Sequence, residues 1–328
     1  SDNTAIFGGG ISNGSGTVLV SDSVFAGNIG QYDGGGIANG VSNVAGLVTV
    51  SGTTFSANYG HYSGGGIYNT ATLTVTTSIF TANTSSYSST GGGGIFNSGT
   101  STVSDSTFSG NGASRGGAMF NMHVLRVSNS TLAGNSAGCL GGGIYTRSAL
   151  TVSNSTFSQN SADFCQGGGG GIYVEEELGI ATLRNTIMAD NHEGANCAGG
   201  IVINGGGNLS FPDTTCPGIN SDPLLGPLQD NGGPTWTMAL GEGSAAIDAG
   251  DDAICAAPPV NNLDQRGVIR PQGTQCDIGA LEQIIVPSAV SLDAISASSA
   301  PGGISPLLVF VLLLAGLAGA AESNRNHR

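Results

Sequence analysis

The sequence predicts an all-β fold: a right-handed parallel β-helix, or solenoid, with a small C-terminal cap and a C-terminal hydrophobic anchor segment. Three observations carry this reading. A glycine-rich block ending in Ile or Met recurs seven times, leading into Ile11, Ile37, Ile67, Ile95, Met119, Ile144 and Ile172. A short segment of alternating apolar residues follows each block. Each alternation then runs into an anchor residue (Phe25, Phe55, Phe80, Phe108, Leu132, Phe157 or Met188) with asparagine three positions on: Asn28, Asn58, Asn83, Asn111, Asn135, Asn160 and Asn191. The period wanders between 24 and 31 residues, so each copy reads as one coil of a solenoid.

Taken in order, the coil explains itself. Five residues before the anchor stand Val20, Val50, Val75, Val103, Val127, Val152 and Leu183, and two residues earlier Val18, Val48, Leu73, Ser101, Leu125, Leu150 and Ala181. This period of two marks a strand with one buried face. Three residues before the anchor the phase slips at Asp22, Gly52, Thr77, Asp105, Asn129, Asn154 and Asn185, mostly residue types that tolerate left-handed backbone. The glycine block supplies a third strand, giving three strands and three turns per coil. The stacked asparagines are read as a structural ladder, each amide bonding the next along the axis. The triple glycines permit close backbone approach and are not nucleotide loops, because no helix follows them.

The coils are placed at residues 1–205, a cap at 206–283, a linker at 284–303 and an apolar tail at 304–328. The cap is expected to close the last coil, whose strand edge and apolar end would otherwise be exposed. The tail holds fifteen uncharged residues, Leu307–Ala321, before Arg325 and Arg328. Those fifteen rise about 22 Å as a helix, short of the ~30 Å hydrocarbon core, and Ile304, Ser305 and Pro306 extend them to a bare span. An arginine-bearing end should stay cytoplasmic, leaving the coils outside. No initiator methionine or signal peptide precedes the first coil, so the chain reads as a mature or truncated piece.

Composition narrows the function classes. There are 57 glycines, charged residues make up 9%, the net charge is −14, and all eight basic residues are arginines. Such a surface repels phosphate backbones, so no nucleic-acid partner is expected. Six cysteines fall into nearby pairs, Cys139–Cys165, Cys197–Cys216 and Cys255–Cys276, which suggests disulfides and an extracytoplasmic setting.

Two resemblances follow from these motifs. The paired GGGI and Phe-x-x-Asn repeats, over roughly residues 5–200, resemble those of chlamydial polymorphic outer-membrane proteins and of parallel β-helix surface proteins generally. The segment DPLLGPLQDNGGPTWTMALGEGSAAIDAGDDAIC, followed by LDQRGVIRPQGTQCDIGALE, resembles the choice-of-anchor Q domain of bacterial surface proteins, over about residues 205–283. The second implies an envelope protein held by a variable C-terminal signal, and the Gly302–Gly303 pair with the apolar tail resembles a bacterial sorting tag. Neither resemblance brings a catalytic residue set.

Chemistry is sparse on the coils. A β-helical polysaccharide lyase needs clustered carboxylates for Ca²⁺ beside an Arg or Lys base, and a hydrolase needs close carboxylates. Glu175, Glu176 and Glu177 form a run that reads as a solvated edge, with Asp190 and Glu193 in the next turn. Arg126, Arg147 and Arg184 are near in coil order but share no column. In the cap, Asp248, Asp251, Asp252, Asp264, Asp277, Glu282, Arg266 and Arg270 read as an ion-pair network, with Asp248, Asp251 and Asp252 as candidate Ca²⁺ ligands; no other cofactor is expected. The histidines His61, His123, His192 and His327 are scattered. One column invites a ligand. Tyr68, Phe96, Phe120, Tyr145 and Tyr173 each follow the Ile/Met position on consecutive coils, so they should form an exposed aromatic ribbon for sugar rings or a partner surface. The sequence thus reads as a non-catalytic bacterial surface protein, adhesin-like or scaffold-like, with a secreted polysaccharide lyase or hydrolase as the alternative.

Overall fold

Alternation fixes which side chains turn inward, and stacking then does the rest. In the computed structural model, which describes residues 1–40, 46–86, 90–163 and 167–284, the coils stack into a parallel β-solenoid of eight turns. The first coil shows the plan: β1 (Thr4–Phe7), β2 (Ile11–Asn13), β3 (Thr17–Ser21) and β4 (Val24–Ala26). Equivalent strands of successive coils pair in parallel to build four sheets, A to D, of seven, eight, eight and eight strands. The chain therefore carries four strands per coil where the sequence suggests three. The extra one, β1 and its successors in sheet A, follows each Phe-x-x-Asn and has no regular alternation to announce it. The eighth coil, Cys197–Gly199, Ile201–Asn204 and Leu209–Phe211, lacks the glycine block and the anchor.

The predicted inward columns form one core. Val50, Leu73, Val75, Val103, Leu125, Val127, Leu150, Val152, Leu183 and the Ile/Met column from Ile37 to Ile172 are buried together. Phe25, Phe55, Phe80 and Phe108 stack in register at centroid spacings of 4.9, 4.5 and 4.5 Å. The middle glycine of each block is forced by this stacking, since a Cβ on Gly35 would strike the carbonyl oxygen of Gly65 in the next coil. All seven bend residues, Asp22, Gly52, Thr77, Asp105, Asn129, Asn154 and Asn185, adopt positive φ between 44° and 56°. That is why short polar residues and glycine gather there.

Asn28 to Asn191 form the expected ladder. Each Nδ2 donates to the next Oδ1 at 2.8–2.9 Å. The chain of amides extends to Asn3 at one end and Asn196 at the other. The same Oδ1 also accepts the backbone N–H of the neighbouring asparagine, as Asn111 does from Asn83 at 3.0 Å, and the same Nδ2 reaches a carbonyl, as Asn111 does to Phe80 at 2.9 Å. A second ladder, Asn13, Asn39, Asn69, Asn97 and Asn121, runs at the turn between sheets B and C and ends on the Thr146 hydroxyl. A third column, Thr53, Ser78, Ser106, Ser130 and Ser155, accepts backbone N–H groups from the preceding coil.

Residues 222–284 form a lobe rather than an end plug. A hairpin (Leu225–Gln229 with Thr237–Leu240) and one short helix, α1 (Asp252–Ala256), are its regular elements. The lobe lies along the side of the solenoid, over the outer face of sheet D. Leu240, Ala246, Ile278 and Leu281 bury Ile187 and Leu209, while Thr107, Thr131 and Thr156 are also covered. At the uncovered end the equivalent Val24 stays 67% exposed. The apolar end of the last coil is instead met by the segment that carries Cys216, which enters the solenoid core and bonds to Cys197 with Cα atoms 5.1 Å apart. Cys255–Cys276 ties α1 to the lobe at 6.7 Å. The pairing of Cys139 with Cys165, the tail 304–328 and nearly all of the linker 284–303 lie outside the described residues.

Gln265 is the central lock of the lobe. Its Nε2 donates to the Thr107 hydroxyl at 3.0 Å and the Thr235 hydroxyl at 2.9 Å, while its Oε1 accepts from the Thr131 hydroxyl at 2.7 Å. Bend residues reinforce it: Asn129 donates to the Leu263 carbonyl, and Asn185 exchanges two bonds with Asp251. Arg270, fully buried, donates to the carbonyls of Asp277 and Gly279 at 2.9 Å. Arg266 pairs with Asp264, whose carboxylate also accepts the N–H groups of Val268 and Glu282. Burial drives the Arg270 pKa down and those of Asp277 and Glu282 up.

Two outcomes follow from this bonding. Asn111→Ala removes the acceptor of the Asn83 N–H and of one Asn83 side-chain N–H inside the ladder. At ~1–3 kcal/mol for each buried unsatisfied group it should cost roughly 3 kcal/mol, read as a fall in Tm; an unchanged Tm would show that the ladder is dispensable. Gln265→Ala should leave the coils folded but free the lobe. Limited proteolysis would then cut within 222–284 faster than in the parent chain while the β-sheet circular dichroism is retained.

Candidate functional site

The aromatic column does not form the exposed ribbon expected of it. Its phase is as predicted, since the Ile/Met column lies in the core and the rings project from the outer face of sheet B. Yet Phe96, Phe120 and Tyr145 are buried, while Tyr68 and Tyr173 at the ends are half-buried. The rings stack on one another at 5.1, 5.3, 4.6 and 5.7 Å. Leu140 and Arg115, from the segments that lead into the glycine blocks, lie against them, with the Arg115 guanidinium 5.6 Å from the Tyr145 ring centre. The Tyr145 hydroxyl donates to the Glu175 carboxylate, and burial together with that carboxylate raises its pKa. Alternation can say that a side chain points outward, but not that a neighbouring segment covers it. The column is a second apolar core outside the barrel.

Asp33 sits at one end of this column, where burial lifts its carboxyl to about 6 despite hydrogen bonds from Ser63. Glu176 and Glu177 are exposed. The candidate Ca²⁺ ligands each hold backbone amides: Asp251 caps α1 through Ala253, Asp252 accepts from Cys276 at 2.8 Å, and Asp248 accepts from Gln275 at 3.3 Å. Among the described residues no group of three or more His, Cys, Asp or Glu is placed to hold a metal ion.

What the fold does bring together is a pair of arginines. On sheet C, Arg126 stands in the outward column Thr49–Thr74–Thr102–Arg126–Thr151–Thr182, and Arg184 stands in the column of Ser128 and Ser153. They share no column, yet both line one groove. Its other wall is the lobe: Ala253 and Ile254 of α1, then Ala257, Pro258, Pro259 and Val260. The cavity measures about 340 Å³ and is lined by no carboxylate. Among the described residues neither arginine is in an ion pair, whereas Arg266 and Arg270 are. The sequence shows both arginines but not the wall, because the lobe's docking is non-local.

With the geometry in place, comparison with known proteins adds one finding. Residues 154–175 match the Chlamydia polymorphic membrane protein (Chlamydia_PMP) repeat. The matched stretch runs from the bend at Asn154 through the anchor Phe157 and Asn160 to the strand Ile172–Val174, three of the four strands of a coil. No curated protein and no solved structure matches the chain. Repeat and solenoid together fit a surface protein of β-helical build.

The covered column sets two expectations. Phe120→Ala should lower stability by about 3–5 kcal/mol, as for a core ring, so the thermal midpoint should fall sharply; a midpoint like that of the parent would mean that the ring is exposed. Asp33→Asn should raise the thermal midpoint at neutral pH and leave it unchanged well below pH 3.8. The sign follows from a folded pKa above the unfolded one. The acid form suits the fold, that stability is complete at low pH, and it is lost as pH rises through about 6. A gain of equal size at both ends of the range would exclude Asp33 as its source.

Proposed function

We propose that the protein is a non-catalytic, right-handed β-helical rod displayed on a bacterial envelope, adhesin-like or scaffold-like, which contacts glycans or other surfaces through its side. The observation that carries this is the outward column of sheet C. Thr49, Thr74, Thr102, Thr151 and Thr182 repeat in register from the second coil to the seventh, with Arg126 in the fifth and Leu19 and Ile203 at the two ends, on the side that the groove opens. Parallel strands space such hydroxyls ~4.8 Å apart, which gives an extended partner a repeated set of donors and acceptors. The repeat similarity and the two disulfides support a location outside the cytoplasm. The choice-of-anchor Q resemblance and the apolar tail support attachment through residues 304–328. Polysaccharide cleavage needs carboxylates beside a base, and the groove offers arginines alone.

The test is accessibility on intact cells. Full-length protein should be labelled by antibody and shaved by added protease without lysis, and a chain ending at residue 303 should appear in the medium instead. Protection of the full-length protein until lysis would refute surface display.

A further inference from the structure

We propose that the groove between sheet C and the α1–Pro258–Pro259 wall binds a uronate-containing oligosaccharide, with Arg126 and Arg184 taking its carboxylates. The proposal rests on the surface-contact reading and gives that contact a chemistry.

Charge sets the ligand's sign. The chain carries a net −14, and its lobe arginines are already paired with carboxylates. Arg126 and Arg184 are exposed, lie in no ion pair among the described residues, and face a lining without a carboxylate. Guanidinium groups hold carboxylates through paired N–H donors. The spacing suits a short chain. By strand register Arg184 lies two coils and two residues from Arg126, or roughly 12 Å between Cα atoms at standard strand dimensions. A few linked sugar rings span that separation, so each arginine can take a separate carboxylate.

The lining between them is suited to a sugar. Thr102 and Thr151 flank Arg126 in its column, and Ser128 and Ser153 lie in the column of Arg184, so hydroxyl groups face the space between the charges. The opposite wall, Ile254, Ala257, Pro258 and Pro259, is apolar and low, a surface for the C–H faces of pyranose rings. The volume of about 340 Å³ lies within the range of specific small-ligand clefts. A nucleic-acid strand fits less well. No aromatic side chain lines the groove, and single strands are held largely by base stacking on such rings.

The experiment is calorimetric titration of the full chain at low salt with hexasaccharides of hyaluronan, alginate and galacturonan. A neutral chitin hexasaccharide and inorganic sulfate serve as controls. At least one uronate chain should bind, weaken as salt rises, and bind at least ten-fold more weakly to Arg126→Ala and to Arg184→Ala. Gln31→Ala, exposed on sheet A and outside the groove, should bind as the parent does. The proposal is overturned if no uronate chain binds, if the double arginine variant binds as well as the parent, or if sulfate binds as tightly with the same arginine dependence, which would mark a small-anion site. Labelling of intact cells by the double variant separates the two ideas. If binding fails while labelling persists, the groove assignment falls and surface display stands; if labelling fails with the parent, surface display falls whatever binds.

Discussion

A side chain that makes the same bonds in every coil is the constraint on which this molecule depends. Asn28 to Asn191 are separated along the chain by 30, 25, 28, 24, 25 and 31 residues, yet each amide meets the next at 2.8–2.9 Å. The ladder thus sets the spacing of the coils while leaving their contour length free. Every Asn is fully engaged inside the wall, where an unmade bond would be expensive. Variation in coil length must therefore be absorbed away from these turns, and the strands of sheets C and D keep the same lengths and register from coil to coil.

The sequence disclosed what repeats. Alternation around Val50 or Val75, left-handed backbone at Asn129 and the Phe-x-x-Asn ladder were all legible, because each is a local pattern stated seven times. The second amide ladder carried an equal signal, an Asn two residues after the Ile/Met position at Asn13, Asn39, Asn69, Asn97 and Asn121, but the aromatic residue between drew the reading toward a ligand. Sheet A was hidden because its strands, such as Ile29–Asp33 and Gly112–Arg115, share no composition. The groove was illegible for a different reason. Pro258 and Arg126, more than a hundred residues apart, line the same groove, and a single non-local approach leaves no period to detect.

The lobe also recasts its own motif. The acids and arginines in LDQRGVIRPQGTQCDIGALE read as an ion-pair network in the sequence. In place they serve attachment: Gln265 enters sheet D, Asp264 gathers the N–H groups of Arg266, Val268 and Glu282, and Arg270 holds the carbonyls of Asp277 and Gly279. Buried charge of this kind carries a desolvation cost, and fixing one docking geometry is its best-attested return. The bend residues record the same event from the other side. Where the lobe lies, the bend is Asp105, Asn129, Asn154 or Asn185, each with a bond to it; at the open end the positions are Asp22, Gly52 and Thr77.

That lateral position gives the rod a mechanical polarity. The backbone hydrogen bonds of a parallel solenoid lie along its axis, so a pull along the axis loads one coil interface at a time. The lobe strings side bonds across coils four to seven and works as a splint there. The first three coils have no such brace among the described residues. Under tension the rod should unravel from its N-terminal end and stop at the splint, a staircase that a force–extension trace would resolve as early small steps followed by one larger release. A rod of this kind would give way gradually at one end while the splinted half, groove included, keeps its shape.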